Sequence, residues 1–423
     1  MKERIASLVA NNRVLLKNFS YLSIIRVINL LLPLVVYPYL IKVLGGEKYG
    51  LVVFAEAIIG YLVILVGFGF NIAATKEVSI HRDDKKKLGE IVSSIFLLKG
   101  VLFVASVLIL AIVLFFLPEG GNYKLLFYLS LWLCLNDIIF PIWYFQGIEE
   151  MKYITYITVL TKVVFFGLIF LFIKEESDYL YVPILNGIGV IVGGVIALYI
   201  VFKKHKVAFV IPTFQALKFY FKEALPIFVS QLSMKLYVSS NKVIIGAFLG
   251  MVDVAYYDLA EKIINMLKVP QNMINQSIFP RISRDKNIGF IKKAFKLILV
   301  VNVLLSLCMV VLSEHVVVFL GGKEMLPSKK VIDILTVTVP IIAMSNVFGL
   351  YLLIPFGFNK VFSRIIVASG LFYAVQMFII WKFVSFTLLN VAYVTITTET
   401  FVTAGTYWFC VKNGLWKPKK LSV

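Results

Sequence analysis

A chain of 423 residues that is 60% hydrophobic, 15% charged and of mean hydropathy +0.93 is too apolar for a set of soluble domains, which run about 45–50% apolar. Bursts of charge between long continuous apolar runs mark a polytopic α-helical membrane protein; a β-barrel would show alternating segments of about ten residues instead. The formal charge of +19 would suit nucleic acid, but Lys and Arg are spread over many connections, so the excess is assigned to topology and to anionic headgroups or an anionic substrate, and nucleic acid is excluded as a partner.

Residues 1–18 are polar and basic, and the run that follows is long enough to span a bilayer, so it reads as a retained signal anchor rather than a cleaved leader. Spans are expected at 19–41 and 50–71, on either side of a tight turn at Gly45-Gly46; the second carries a lone carboxylate, Glu56. Four more follow at 91–117, 124–146, 152–173 and 180–202. The longest connection, 203–223, is basic at both ends with Pro212 inside, and Phe219-Tyr220-Phe221 between Lys218 and Lys222 fits a helix lying in the interface as well as it fits a plain linker. The last six spans are expected at 224–249, 251–280, 295–320, 331–356, 361–384 and 388–410. The chain thus divides into 1–205, a cytoplasmic linker 206–223, and 224–423, with six spans in each half. Counting Lys and Arg in alternate connections gives 27 on the side of both termini against 8 on the other, which makes both termini cytoplasmic.

The second half repeats features of the first. At an offset of 205, Leu44-Gly45 falls on Leu249-Gly250, Ala55-Glu56 on Ala260-Glu261, Ile58-Ile59 on Ile263-Ile264, and Lys76 on Arg281. With an even number of spans each, the halves would be parallel repeats about an axis along the membrane normal.

No Walker A, GxSxG or HExxH signature occurs, nor any Cys/His cluster at metal spacing, so neither an enzyme nor a cofactor is expected. His81 and His205 lie in cytoplasmic connections, His315 follows Glu314, and Cys134, Cys308 and Cys410 read as fillers between helices. The informative residues are the intramembrane ions, which are costly in hydrocarbon and must face a partner or water. The cations are Arg26, Lys99, Lys162, Lys235, Lys242, Lys262 and Lys268; the anions are Glu56, Asp137, Asp258, Glu261, Glu314 and Glu399. Helical spacing aligns Arg26 with Asn29 and Pro33, and Lys235 with Ser239 and Lys242. It also makes a polar stripe of Asp258, Glu261, Lys262, Asn265, Lys268 and Asn272, kinked at Pro270, and another of Thr395, Thr398, Glu399, Thr403 and Thr406. Three readings compete. The ions pair between helices and hold the bundle, with some, such as Lys99, snorkelling to the interface; the cations bind an anionic group such as a pyrophosphate; or a carboxylate binds a coupling proton or sodium ion.

The first hairpin carries a resemblance. Asn18-Phe19-Ser20-Tyr21-Leu22, Asn29-Leu30-Leu31-Leu32-Pro33, Pro38-Tyr39-Leu40, Val43-Leu44-Gly45 and Tyr49-Gly50 resemble the N-terminus of Wzx-type polysaccharide flippases. Phe54-Ala55, Gly67-Phe68-Gly69-Phe70-Asn71, Ala74 and Arg82-Asp83-Asp84-Lys85-Lys86-Lys87-Leu88 continue it, and Pro141-Ile142-Trp143-Tyr144-Phe145-Gln146-Gly147 fits a fourth-span ending in that family. The resemblance implies membership of the multidrug/oligosaccharidyl-lipid/polysaccharide (MOP) exporter superfamily, two six-helix lobes in a MATE-like V, and alternating access. It implies a bacterial inner-membrane protein that moves an undecaprenyl-pyrophosphate-linked oligosaccharide to the outer leaflet, beside a polysaccharide polymerase and a chain-length regulator. Twelve rather than fourteen spans sets the chain apart from the related lipid II flippases. On this reading Arg26, Lys162, Lys235, Lys242 and Lys268 contact the pyrophosphate or acidic sugars, while Glu56, Glu261, Asp258 and Glu399 couple an ion or gate the path. The competing functions are a drug/cation antiporter of the same superfamily, which would want an anionic, aromatic lining, and a non-transporting scaffold for polysaccharide assembly.

Overall fold

The computed structural model describes residues 13–116 and 123–416, and every regular element among them is helical. That outcome follows from the solvent: in hydrocarbon each backbone N–H and C=O must be satisfied within the chain, and a helix does this segment by segment. The helices form two compact units, one of residues 1–48 and 54–232, the other of residues 49–53 and 233–423. Among the described residues, eight helical stretches are long and apolar enough to cross a membrane by themselves. The other expected spans also have helical counterparts, and the least apolar of these carry the polar stripes.

In the first unit, α1 (Arg13–Gly67) contains the first two spans, separated at Gly45 alone (φ 68, ψ 168). A turn at Phe68-Gly69 leads to α2 (Phe70–Ile80), and α3 (Lys85–Phe116) is the third span. The fourth span is broken into α4 (Tyr123–Leu129), α5 (Trp132–Ile139) and α6 (Ile142–Gly147). Pro141, which has no N–H to donate, stands at the second break. Next come α7 (Met151–Phe172) and α8 (Tyr181–Tyr199), the latter ending in a π turn at Ile200–Lys204. The core gathers Phe70 and Val78 of α2, Ile91 and Ile95 of α3, Trp143, Tyr144 and Phe145 of α6, and Ile157 of α7. The Pro141–Gly147 motif is therefore interior packing: a Cβ on Gly147 would lie 2.5 Å from a Val78 methyl.

The helix α9 (Phe214–Val238) begins inside the stretch expected as a connection. Residues 214–223 are its first turns, not a separate interfacial helix, because Tyr220 is buried in the first unit's core and its hydroxyl reaches Glu90 at 3.4 Å.

The second unit continues with α10 (Ser240–Phe248), α11 (Met251–Leu267) and α12 (Val269–Asp285). The expected span 251–280 breaks at Lys268, with Pro270 in the first turn of α12, where a missing N–H removes no helical bond. Gly250 has φ 113 and ψ 174, with a positive φ like that of Gly45, in a region that side chains other than glycine rarely adopt. The helices α13 (Ile288–Gly321), α14 (Ser328–Thr336) and α15 (Thr338–Asn346) follow, then a π segment Val347–Leu353, α16 (Asn359–Phe383) and α17 (Leu388–Lys412). Their core includes Ile291 and Ile298 of α13, Val347, Phe348 and Tyr351 of the π segment, and Val402 and Cys410 of α17.

Candidate functional site

The polar stripe of α11 builds the densest cluster of charge in the second unit. Spacing of three and four residues puts Asp258, Glu261, Lys262 and Asn265 on one helical face. Asp258 is only 1% exposed, and both of its oxygens are engaged. Lys242 Nζ donates to Oδ1 at 2.6 Å; Oδ2 pairs with Lys262 Nζ at 2.6 Å and accepts from the Tyr49 hydroxyl at 2.6 Å. Tyr49, from the five-residue segment that belongs to this unit, also accepts from Lys262 Nζ at 2.7 Å. Lys242 reaches a second carboxylate, Glu261 Oε2, at 2.6 Å. Two ammonium groups thus neutralise two carboxylates, which is what burial of charge demands.

Beside this lattice lies a neutral one. Asn241 donates to the Tyr257 hydroxyl at 2.6 Å and to Thr395 Oγ1 at 3.0 Å, and its carbonyl oxygen accepts from the Tyr373 hydroxyl at 2.6 Å. Both lattices border a cavity of about 110 Å³, whose walls include Glu261, Asn265, Lys268, Thr398 and Glu399. Lys268 and Glu399 line that cavity, yet no ion pair joins them within 4.0 Å among the described residues. The space holds several waters or a small ion; organic ligands occupy about 300–1,000 Å³.

The first unit buries charge in another way. Lys99, 1% exposed, donates to Asn71 Oδ1 at 3.2 Å, the Asp137 carbonyl at 2.8 Å and Asp137 Oδ2 at 2.7 Å, while Asn71 Nδ2 donates to Asp137 Oδ1 at 3.0 Å. Lys99 therefore does not snorkel to the interface: three oxygens within reach inside the unit satisfy all three of its protons.

The remaining expected residues are dispersed. Lys162, on α7, is half-buried with no ion pair among the described residues. Lys235 lies in the last turn of α9, with no ion pair among the described residues. The helical register assumed for Lys235, Ser239 and Lys242 is interrupted at Ser239 (φ −120, ψ 1), between α9 and α10. Glu56 is half-buried on the second arm of α1, and the side chain of Arg26 lies outside the described residues. On α17, Thr398, Thr403 and Thr406 spend their hydroxyls on carbonyls four residues back, so that stripe is mostly self-satisfied. Asn241, Tyr257 and Tyr373 escaped the sequence reading. Asn241 stands next to Lys242, but nothing local marks a tyrosine as its partner.

Known proteins supply the context. A model of the family described as "Polysaccharide biosynthesis protein" matches residues 15–286. A putative O-antigen transporter of Escherichia coli (strain K12) is 28% identical over 411 residues, 96% of this chain and 99% of that one. Another, from Shigella dysenteriae, is 25% identical over 369 residues, 86% and 92% of the two chains. Among solved structures, the lipid II flippase MurJ in an inward closed conformation aligns with TM-score 0.71 at 16% identity, over 92% of this chain and 87% of that one. An inward-facing MATE transporter of the MOP superfamily aligns with TM-score 0.69 at 15% identity, over 93% of this chain and all of the other. These structures share the fold, and the family match covers more than half of the sequence. The chain is a multi-pass membrane protein that belongs to the polysaccharide biosynthesis protein family.

Proposed function

We propose that this chain is a flippase, not an enzyme, and that it moves an undecaprenyl-pyrophosphate-linked oligosaccharide from the cytoplasmic to the outer leaflet of the bacterial inner membrane. The observation that carries the reading is the end-to-end likeness, over 96% of this chain, to a protein named a putative O-antigen transporter. Alternating access follows as the mechanism, with residues 1–205 and 224–423 as repeated halves, both termini in the cytoplasm, and a polymerase and a chain-length regulator as neighbours in the same assembly line. Among the cations, Lys162, Lys235 and Lys268 have no ion pair among the described residues, which leaves their ammonium groups open to a pyrophosphate or an acidic sugar. Lys242 already bridges Asp258 and Glu261, so its use on substrate requires that bridge to open. Arg26 belongs to the same proposed set.

The carboxylates divide in the same way. Asp258 and Glu261 are held by lysines and fit a gate; Glu399, bordering a cavity of water or ion size, fits the coupling role, and Glu56 is the repeat partner of the gate. Alanine at Lys162, Lys235 and Lys268, singly and together, is expected to lower surface polysaccharide while the protein persists in the membrane at its normal amount. Undiminished display in the triple variant overturns the substrate assignment. A chromosomal deletion that leaves surface polysaccharide intact overturns the flippase reading itself.

A further inference from the structure

The connection from α8 to α9 is fastened to the protein. Val207 is buried, and the Val210 N–H donates to Ser93 Oγ at 2.9 Å. The Ala208 carbonyl oxygen lies 2.7 Å from where a Cβ on Gly89 would sit, an approach that only glycine permits. Gly89 and Ser93 stand about 6 and 12 Å along α3 from Lys85, at 1.5 Å per residue. The membrane stretch of α3 is 31 residues long, whereas about 20 cross the hydrocarbon, so its first turns stand at headgroup depth. The strap is therefore pinned where acyl chains meet headgroups.

What it presents there is apolar. Phe209 is 60% exposed, Ile211 93% and Phe214 77%. Around them stand exposed lysines: Lys203, Lys204 and Lys206 before the strap, Lys218 and Lys222 on the first turns of α9, and Lys85 and Lys86 at the start of α3. Two of the nearby acids, Glu90 and Glu223, pair with lysines outside this set. Asp84 accepts the backbone N–H groups of Lys86 and Lys87, Glu90 takes Lys87 Nζ at 2.7 Å, and Glu223 faces Lys76 at 3.7 Å. A bare apolar edge ringed by unneutralised ammonium groups, at this depth, complements one surface: a leaflet of anionic phospholipid.

We propose that residues 207–214 form a lipid-binding strap, in which Phe209, Ile211 and Phe214 enter the headgroup–acyl boundary and Lys203, Lys206, Lys218 and Lys222 hold anionic phospholipid headgroups. This is independent of the flippase reading, since it concerns the bilayer and not the cargo. The test uses the full chain with its three cysteines replaced, spin-labelled at Ile211→Cys or, for comparison, Asp83→Cys, in phosphatidylcholine vesicles with or without phosphatidylglycerol. A label at 211 should be several-fold more accessible to oxygen than to a water-soluble nickel chelate, with the preference reversed at 83. Phosphatidylglycerol retained by the detergent-purified protein should fall about fivefold for each of the four lysines replaced by glutamine. A label at 211 that is open to the nickel chelate, or shielded from both reagents by another part of the chain or a second copy, overturns the immersion. Retention of phosphatidylglycerol unchanged in the four-lysine variant overturns the anionic-lipid assignment.

Discussion

In the first unit one lysine, Lys99, aims all three of its protons at oxygens of Asn71 and Asp137, with nothing left to bind. In the second, Lys242 and Lys262 share Asp258, Lys242 also holds Glu261, and Lys268 lines a small cavity with Glu399. Both arrangements obey the rule that buried charge needs a partner, but only the second keeps groups in reserve. A closed pair contributes packing and registry. A set of charges with spare capacity can exchange partners during a transport cycle, and the difference suggests that the Asp258 cluster takes part in the chemistry while the Lys99–Asp137 cluster is scaffolding.

The comparison can be broken most forcefully at Lys99. Lys99→Met strands Asp137 and should cost about 3–5 kcal/mol, read as thermal unfolding in detergent, whereas Lys99→Met combined with Asp137→Leu should regain most of it and keep normal polysaccharide display. A double variant that is stable but inactive would give the Lys99–Asp137 pair a chemical role and end the contrast. Next in size is Tyr49→Phe, which removes the hydroxyl set between Asp258 and Lys262; a loss of about 1.5–3 kcal/mol is expected, in the range for hydrogen bonds to charged groups. Glu399→Gln breaks no ion pair among the described residues, so its effect on stability should be smaller than that of either preceding variant. Its effect should fall instead on the dependence of flipping on the pH gradient across reconstituted vesicles, and a wild-type dependence would return Glu399 to a structural role.

The smallest effect is a control outside the membrane. The Lys87 backbone N–H, and after it that of Lys86, holds the Asp84 carboxyl below the usual carboxylate range. With its folded value depressed, the contribution of Asp84 is complete above about pH 4 and is lost as pH falls through the lower folded value. The protection of the Lys86 and Lys87 amides, measured against their intrinsic exchange rates at each pH, should therefore fall in acid for the native protein. In Asp84→Asn, which keeps the cap without the charge, that acid dependence should be absent.

The spans were legible because hydrocarbon leaves the backbone one solution and because apolar runs announce themselves. Pro270 and the α11 stripe were legible for similar reasons: each is a local pattern with a local consequence. What escaped was partnership across the chain. Asp137 lies 38 residues from Lys99, and Asp258 lies 209 residues from Tyr49, distances over which periodicity carries no information. The break at Ser239 also escaped, since serine is common inside helices and nothing nearby signals a stop. The charged members of the second unit's lattice stand out by their cost in hydrocarbon, whereas their neutral companions, Tyr49, Asn241, Tyr257 and Tyr373, are identified only by the fold.

The break at Gly45 occupies a single residue, so the two arms of α1 are geared to each other. Each residue of a helix advances the azimuth by about 100°, and a joint one residue long has no slack to absorb an insertion. One extra alanine after Gly46 would turn Tyr49 away from Asp258 and swing Glu56 to a different compass bearing, though no existing side chain had been altered. Chain length between Gly45 and Glu56, and by the repeat between Gly250 and Glu261, acts as a timing mark that substitution scanning would never reveal and that a one-residue insertion would expose at once.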